Sequence, residues 1–598
     1  MPEPISLDDS SYDELYERAM GKLRVQAPWW THREVSDPGI MLIEMWALLW
    51  DMQSYYLDQV QESHYRKYLK LLGIRPDQGE CAWAWVFFQP EADAEKECVV
   101  PEGTKLLSGG MVFETEEEVR LMKNSLYGFY QGSGENQADA MKLFRKNRFV
   151  LEGQSGQEGV LFTFVLDRPL NPKEDFRFLV LLDETAKRNP PEEGDCMVKL
   201  VWEYFITDSW KEVQAIRDDT KGLLRSGIVV LRTDPCEEAG RYRINRIRCR
   251  IGHGAYDVAP VLYKICLNVA KAVQKDTLCR TEEAEFTENS HRVVLKSYLG
   301  KTGRLWILRK SEEEPEESGE PEGNGILWED ITDRVSIDGP VKAGRMERYV
   351  SYEGTGHVMI VCAKPQISPE ELACRVTGVA AQQIPLPWKS VMRSSVGLMI
   401  KQAGIREGMY RTYEGSEPEE DRCRYAWHWE EEENVIVLGD GRHGEIPPPS
   451  EEGLRFTSLV LWEGEKGNVP VGGITKWEQP ELFPHITCMN YLPGREGRSR
   501  LAPSRQFDGI RGTLMRQERM VTEEDIRDLA METPGLIIRR VTARWKGNGA
   551  EVIVFPRFPL EDGYCVEWYR SRVEKYLEPY RLAGMKIKVE VRNGSGDQ

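Results

Sequence analysis

From Ser36 to Tyr56 the chain reads SDPGIMLIEMWALLWDMQSYY, and no other stretch limits its folding options as strongly. Ser36 or Asp37 can cap the free N–H groups of a helix start, and Pro38 suits a first helical turn. Beyond them Met41, Met45, Leu48, Met52 and Tyr55 recur at three- and four-residue spacing, the period of one helix face. A second stripe runs through Ile43, Trp46, Leu49 or Trp50, and Tyr56. A helix that is apolar on two faces needs more than one neighbour. The pattern continues through Val60, Tyr65, Tyr68, Leu69 and Leu72, with room for a break, and stops at Gly73 with Pro76 beyond it. An ordinary core helix accounts for the same stripes at this level.

From Cys81 the pattern becomes that of strands. CAWAWVFF is a continuous apolar and aromatic run, and GVLFTFVL, FRFLVLL, MVKLVWEYF, GIVVLR and YRINRIRCRI follow, divided by Gly, Pro and Asp. Around Val261, Tyr263, Ile265, Leu267 and Val269 the alternation favours a strand without excluding a helix. SEEEPEESGEPEGNG, from Ser311 to Gly325, holds too little apolar surface to offset the entropy of ordering, so it reads as a disordered acidic loop. EGSEPEED, Glu414 to Asp421, is a smaller insertion of the same kind. Near the end, Thr522 precedes three acidic residues and an apolar face of Ile526, Leu529 and Ala530, which marks a helix start. Strands LIIRRVTARW and AEVIVFP, a helix from about Glu567 to Leu577 and MKIKVEV complete an α-β-β-α-β order. That order predicts a compact module packed on one face of a small sheet. No repeat of solenoid length is seen.

At 598 residues the chain exceeds what one hydrophobic core supports, and three to five domains are expected. The reading is α+β and multidomain: N-terminal long helices, β-rich middle domains and a C-terminal α-β-β-α-β module. The boundaries fall at 1–78 for a helical, bundle-forming region, 79–200 and 201–310 for two β-rich domains, and 311–325 for the acidic loop. A β-rich domain with glycine turns follows at 326–510 and the α+β domain at 511–598. Acidic residues outnumber basic ones 98 to 79, a formal charge of −19, which argues against broad binding to nucleic acid or anionic membrane. The opening MPEPISLDDSSYDELYERAM is acidic and lacks an apolar core, so no Sec-type signal is expected. The longest apolar run, Gly39 to Trp50, is broken by Glu44 and falls short of a membrane span. The twelve cysteines are scattered, with no C-x-x-C pair, which suits reduced, buried thiols in a cytoplasmic chain.

Catalysis needs converging groups, and the familiar spacings are missing: no phosphate-binding P-loop, no H-E-x-x-H, no nucleophile elbow and no EF-hand loop. The eight histidines never pair at ligand spacing. LGDGRHGEIPPP crowds Asp440, Arg442, His443 and Glu445 together, a set that could bind a metal or move protons. Asp440-Gly441 and His443-Gly444 read better as consecutive tight turns after the strand Val435 to Leu438. GREGRSRLAPSRQFDGIRG reads as a basic, flexible, solvated linker. No catalytic residue, metal ligand or cofactor site is assigned, and an enzyme is not expected.

The stretch PWWTHREVSDPGIMLIEMWALLWDMQSYYLDQVQESHYRKYLKLLGIRP resembles the opening of baseplate J-like proteins, the group that includes baseplate wedge proteins of contractile phage tails and contractile injection systems. Trp30-Thr31, Ser36 to Gly39 and Tyr68 to Ile74 carry the likeness. In the order that the family has them, VPEGTKL, VFETEEEV, WEYF with DDTKGLLRSGIVVLR, APVLYKICLNVAKAVQ, LGDGRHGEIPP with GEKGNVPVGGI, and VTEEDIRDLAMETPGLIIRRV are similar too. Together they span about residues 29 to 592, and the acidic loop after Ser311 departs from the pattern. The resemblance implies a structural wedge subunit that assembles around a central hub and helps to trigger sheath contraction. Its partners would be other wedge subunits, of the same or a related chain, together with hub and sheath proteins; nucleic acid and direct membrane insertion are not implied. It would be cytoplasmic during assembly and afterwards part of the tail or injection particle. The partner-binding residues expected on the helix bundle are Met41, Met45, Trp46, Leu49, Trp50, Met52, Tyr55 and Tyr56. Two other readings stay open: a metal-dependent hydrolase using Asp440, His443 and Glu445, and a glycan-binding tail or surface protein suggested by the many Trp and Tyr.

Overall fold

The computed structural model describes residues 11–593, apart from 33, 35, 59–61, 76, 92–97, 132–148, 152–158, 171–174, 185–187, 191–195, 207, 233–243, 289, 296–303, 312–325, 339–340, 343–344, 347, 365–366, 368–370, 389, 403–407, 416–423, 431–433, 515–518 and 548. Nearly all of the acidic loop, and most of the smaller acidic insertion, therefore lie outside the described residues. Two units result, one from residues 1–78 with 500–516 and one from 79–499 with 517–598.

The first unit is helical. Helix α1 spans Tyr12–Gln26, α2 spans Pro38–Asp58 and α3 spans Glu62–Leu71; α4, Pro503–Leu514, joins them from far along the chain. Ser11 caps α1 by accepting from the Glu14 N–H, and Asp13 and Glu14 sit in its first turn, where carboxylates oppose the positive helix end. Helix α1 packs along α2, and α3 along α4. The second pair is held by Phe507, whose ring lies 5.7 Å from that of Tyr65 and 6.1 Å from that of Tyr68. Glu62 accepts from both the N–H and the hydroxyl of Ser504, at 3.0 and 2.6 Å. This corrects the reading of GREGRSRLAPSRQFDGIRG as a flexible linker. Its second half is helical because a distant helix supplies the packing that its own sequence lacks.

The second unit is built on sheets. Two five-stranded sheets face each other as a sandwich, one containing Val160–Leu166 and Lys199–Ile206, the other Phe176–Leu182 and Gly227–Leu231. Their inner faces meet through Phe164 and Phe178, 5.4 Å apart, and through Phe178 and Trp202, 5.3 Å apart, the edge-to-face contacts aromatic rings prefer. A six-stranded sheet joins Trp83–Pro90 to Val269–Gln274 and to Ile486–Met489, so segments four hundred residues apart lie side by side. An eleven-stranded sheet is organised around Asp276–Phe286 and Ser450–Leu461.

The C-terminal segment has the expected element order. Helix α5, Glu523–Met531, begins with a capping box in which Thr522 and Asp525 bond each other's backbone N–H. Strands Ile538–Lys546 and Gly549–Pro556 pair antiparallel, α6 spans Gly563–Leu577, and Lys586–Val591 returns parallel to Gly549–Pro556. The strict alternation of burial along GAEVIVFP turns Ala550, Val552 and Val554 inward. Those residues share one apolar core with the sandwich, including Trp202 and Ile251. The architecture is α+β as read: N-terminal helices, a large β-rich body and a C-terminal α-β-β-α-β segment.

Candidate functional site

The Ser-Asp-Pro-Gly segment builds the start of α2 with one carboxylate. Asp37 accepts the Gly39 N–H at 2.7 Å through Oδ1 and the Trp30 indole N–H at 2.9 Å through Oδ2. Of the two capping candidates, Asp37 does the work, and its own carbonyl receives the Met41 N–H. The indole hydrogen bond, and then the Gly39 N–H, hold this carboxyl below the usual carboxylate range. Gly39 is required sterically, because a Cβ there would overlap the Trp30 ring. Trp30 thereby fixes the approach of the chain to the helix.

Along α2 the covered side is narrow, and beyond the isoleucines of its first turns it is made of small or polar residues. Ile40, Ala47 and Ser54 are buried, seven residues apart, with Ile43, Glu44 and Asp51 half-covered between them. The large side chains point elsewhere. Met41, Met45, Trp46, Leu49, Trp50, Met52, Tyr55 and Tyr56 each keep between 45 and 67 % of their surface exposed. Leu42 and Leu48 are exposed as well, and Trp29, in the turn before α2, is 79 % exposed. Of the two stripes read from the sequence, the first is wholly exposed, and in the second only Ile43 is half-buried. At about 1.5 Å per residue the 21 residues of α2 present a rod about 31 Å long. The exposed side chains together make a continuous apolar face along the described part of the helix. Leu42 and Trp29 lie off the two stripes, which is why periodicity did not single them out; the overall apolar density of the run is the signal that would have.

The other chemical candidate resolves into turns. Asp440 accepts the Arg442 and His443 N–H groups and lies 3.1 Å from the His443 imidazole, contacts that hold its carboxyl far below the usual range. Gly441 and Gly444 adopt positive φ, 86° and 104°, as consecutive tight turns require. Glu445 is turned away to pair with Arg424 at 2.6 Å. Among the described residues no three His, Cys, Asp or Glu side chains gather as a metal site would need. Burial pushes the thiols of Cys266, Cys488 and Cys565 up to about 12, far from nucleophilic thiolates. Among the described residues no helix is long and apolar enough to cross a membrane.

No curated protein matches this chain. Among solved structures, a chain of the TssK-TssF-TssG baseplate subcomplex of the type VI secretion system aligns at 9 % identity over 92 % of this chain and 96 % of that one, with a TM-score of 0.34. A chain of the anti-feeding prophage baseplate aligns at 9 % identity over 96 % of this chain and 70 % of that one, with a TM-score of 0.30. Scores this low carry no weight on fold or assembly. The family model described as bacteriophage baseplate protein, N-terminal domain, matches residues 11–67, which takes in α1, α2 and the first part of α3. The helix that exposes the apolar face thus lies within the segment that is similar to the N-terminal domain of bacteriophage baseplate proteins.

Proposed function

We propose that this chain is a structural wedge component of the baseplate of a contractile, phage-tail-like injection particle. It assembles with partner wedge subunits around a central hub and takes part in releasing sheath contraction. The observation that carries this reading is the exposed face of α2, lying inside the segment that matches a baseplate N-terminal domain. Fully burying a large apolar side chain is worth about 1.5–3 kcal/mol, and roughly half of that is still to be gained at each of the eight residues. Met, Trp and Tyr are the side chains that protein interfaces favour. The charged residues of α2 are Glu44, Asp51 and Asp58, without one Lys or Arg, which speaks for a protein partner over an anionic lipid surface. The β-rich unit then serves as a rigid spacer, and contraction would follow from rearranged contacts between subunits.

The test is Trp46→Asp combined with Tyr56→Asp in a strain that makes the whole particle. The expected result is an unchanged β-rich circular dichroism spectrum for the purified variant and no assembled baseplates by electron microscopy. Particles of normal number and form from that strain would remove the reading.

A further inference from the structure

Where the six-stranded sheet meets the strand Asp276–Phe286, a buried amine and a carboxyl group that is about 20 % exposed lie in contact. Lys105 is buried, and its Nζ lies 2.5 Å from Asp276 Oδ1, across 171 residues of sequence. Its second acceptor is the Thr277 carbonyl, at 2.7 Å. Glu114, the cross-strand neighbour of Lys105, is buried too and places Oε1 3.4 Å from the same Nζ. Glu114 is held there by the N–H and hydroxyl of Thr277, both at 2.7 Å. On the far side of Asp276, Lys364 Nζ lies 3.1 Å from each carboxyl oxygen and is itself anchored to Glu478 at 2.8 Å.

We propose that Lys105 and Asp276 condense into an intramolecular amide, a covalent strap between the six-stranded sheet and the first residue of the strand Asp276–Phe286. Nζ bonds to Cγ of Asp276, the Cγ–Oδ1 bond breaks, and Oδ1 leaves as water. Both protons of that water come from the Lys105 ammonium, and Glu114, whose Oε1 must close in from 3.4 Å to do so, relays them as general acid–base. Lys364 faces the oxygen that gains charge when Cγ becomes tetrahedral, as an oxyanion stabiliser must. Two physical effects favour the product. Fixing the partners in contact replaces a bimolecular encounter by an effective molarity on the order of 10⁵ M or more. A neutral amide also removes the charge on the buried Lys105 amine and on the partly covered Asp276 carboxyl. No oxidant or cofactor is needed, and the strap does not depend on the baseplate reading.

Intact-mass spectrometry of the denatured full-length protein tests this. The wild-type chain should be lighter than its sequence by one water, and a tryptic digest should contain a branched peptide joining residues 105 and 276. Glu114→Gln keeps an acceptor for Thr277 but cannot relay protons; it should fold and show no lost water. A wild-type mass equal to the sequence mass overturns the proposal, as does a lost water that maps to any other pair. Glu114→Gln that still loses the water overturns the relay.

Discussion

The phenol of Tyr569, on α6, donates to Asp257 Oδ2 at 2.7 Å from 312 residues along the chain. Asp257 is also clasped by both terminal guanidinium nitrogens of Arg188, at 2.9 and 2.6 Å, and Arg188 reaches on to the Gly535 carbonyl. One buried carboxylate therefore ties the C-terminal segment to the sandwich. Asp257→Ala leaves Arg188 without its partner and should cost about 3–5 kcal/mol. Tyr569→Phe removes one donor, and the acceptor of the Ile537 N–H, and should cost about 1–3 kcal/mol. Urea unfolding of both variants and of the double variant checks this; strictly additive losses would mean that the two groups are not coupled.

Gly39→Ala drives a methyl group into the Trp30 ring. Overpacking of this kind costs about 1–3 kcal/mol, and the expected sign is a lower melting temperature for the helical unit with a shifted tryptophan emission. Trp30→Ala in the same chain should relieve most of the added cost of Gly39→Ala. Equal effects of Gly39→Ala with and without Trp30 would contradict the contact.

Asp37 should titrate below the ordinary carboxylate value of about 3.9, because the Trp30 indole and the Gly39 N–H bind its ionised form. A folded value below the unfolded one gives stability that is present above the unfolded value and lost as pH falls through the folded one. Carboxyl NMR should place the Asp37 midpoint low in the wild type, and Trp30→Phe should raise it. A midpoint that does not respond to Trp30→Phe would assign the shift to another cause.

Lys221, Gly222 and Leu223 adopt φ of 50°, 75° and 61°, three successive left-handed residues. The turn is held by Tyr256, which donates to the Gly222 carbonyl at 2.8 Å, and by Thr220 Oγ1, which accepts the Leu223 N–H at 3.1 Å. Gly222→Ala adds about 1–2 kcal/mol for the left-handed conformation and brings its Cβ against the Val198 carbonyl and the Cys196 sulfur. Denaturant midpoints should fall accordingly; an unchanged midpoint would mean that the turn relaxes freely.

Local signals in this sequence were readable where they repeat. The α-β-β-α-β order at the end, the start of α2 and the tight turns around Gly441 and Gly444 all follow from spacing and from single residues with special backbone needs. Helix α4 was not readable, because Phe507 is a lone aromatic in a basic segment, and its ring partners Tyr65 and Tyr68, like Glu62, the acceptor for Ser504, lie more than four hundred positions away. Short helices gain most of their stability from tertiary packing, which local pattern does not record. Helix α1 left a usable trace, Ser11 before Asp13 and Glu14, that went unread beside the stronger run after it. The two-striped character of α2 was plain from the sequence, but which side would be covered was not. Ala47 and Ser54 are too small and polar to advertise a packing seam.

That inverted seam has a bearing on how a cell must handle the chain. With its bulky side chains outward, α2 offers every newly made copy an adhesive flank before any companion arrives. On the proposed reading, copies made in excess of the partners that cover this flank should self-associate through it, so the yield of usable protein would follow the supply of those partners.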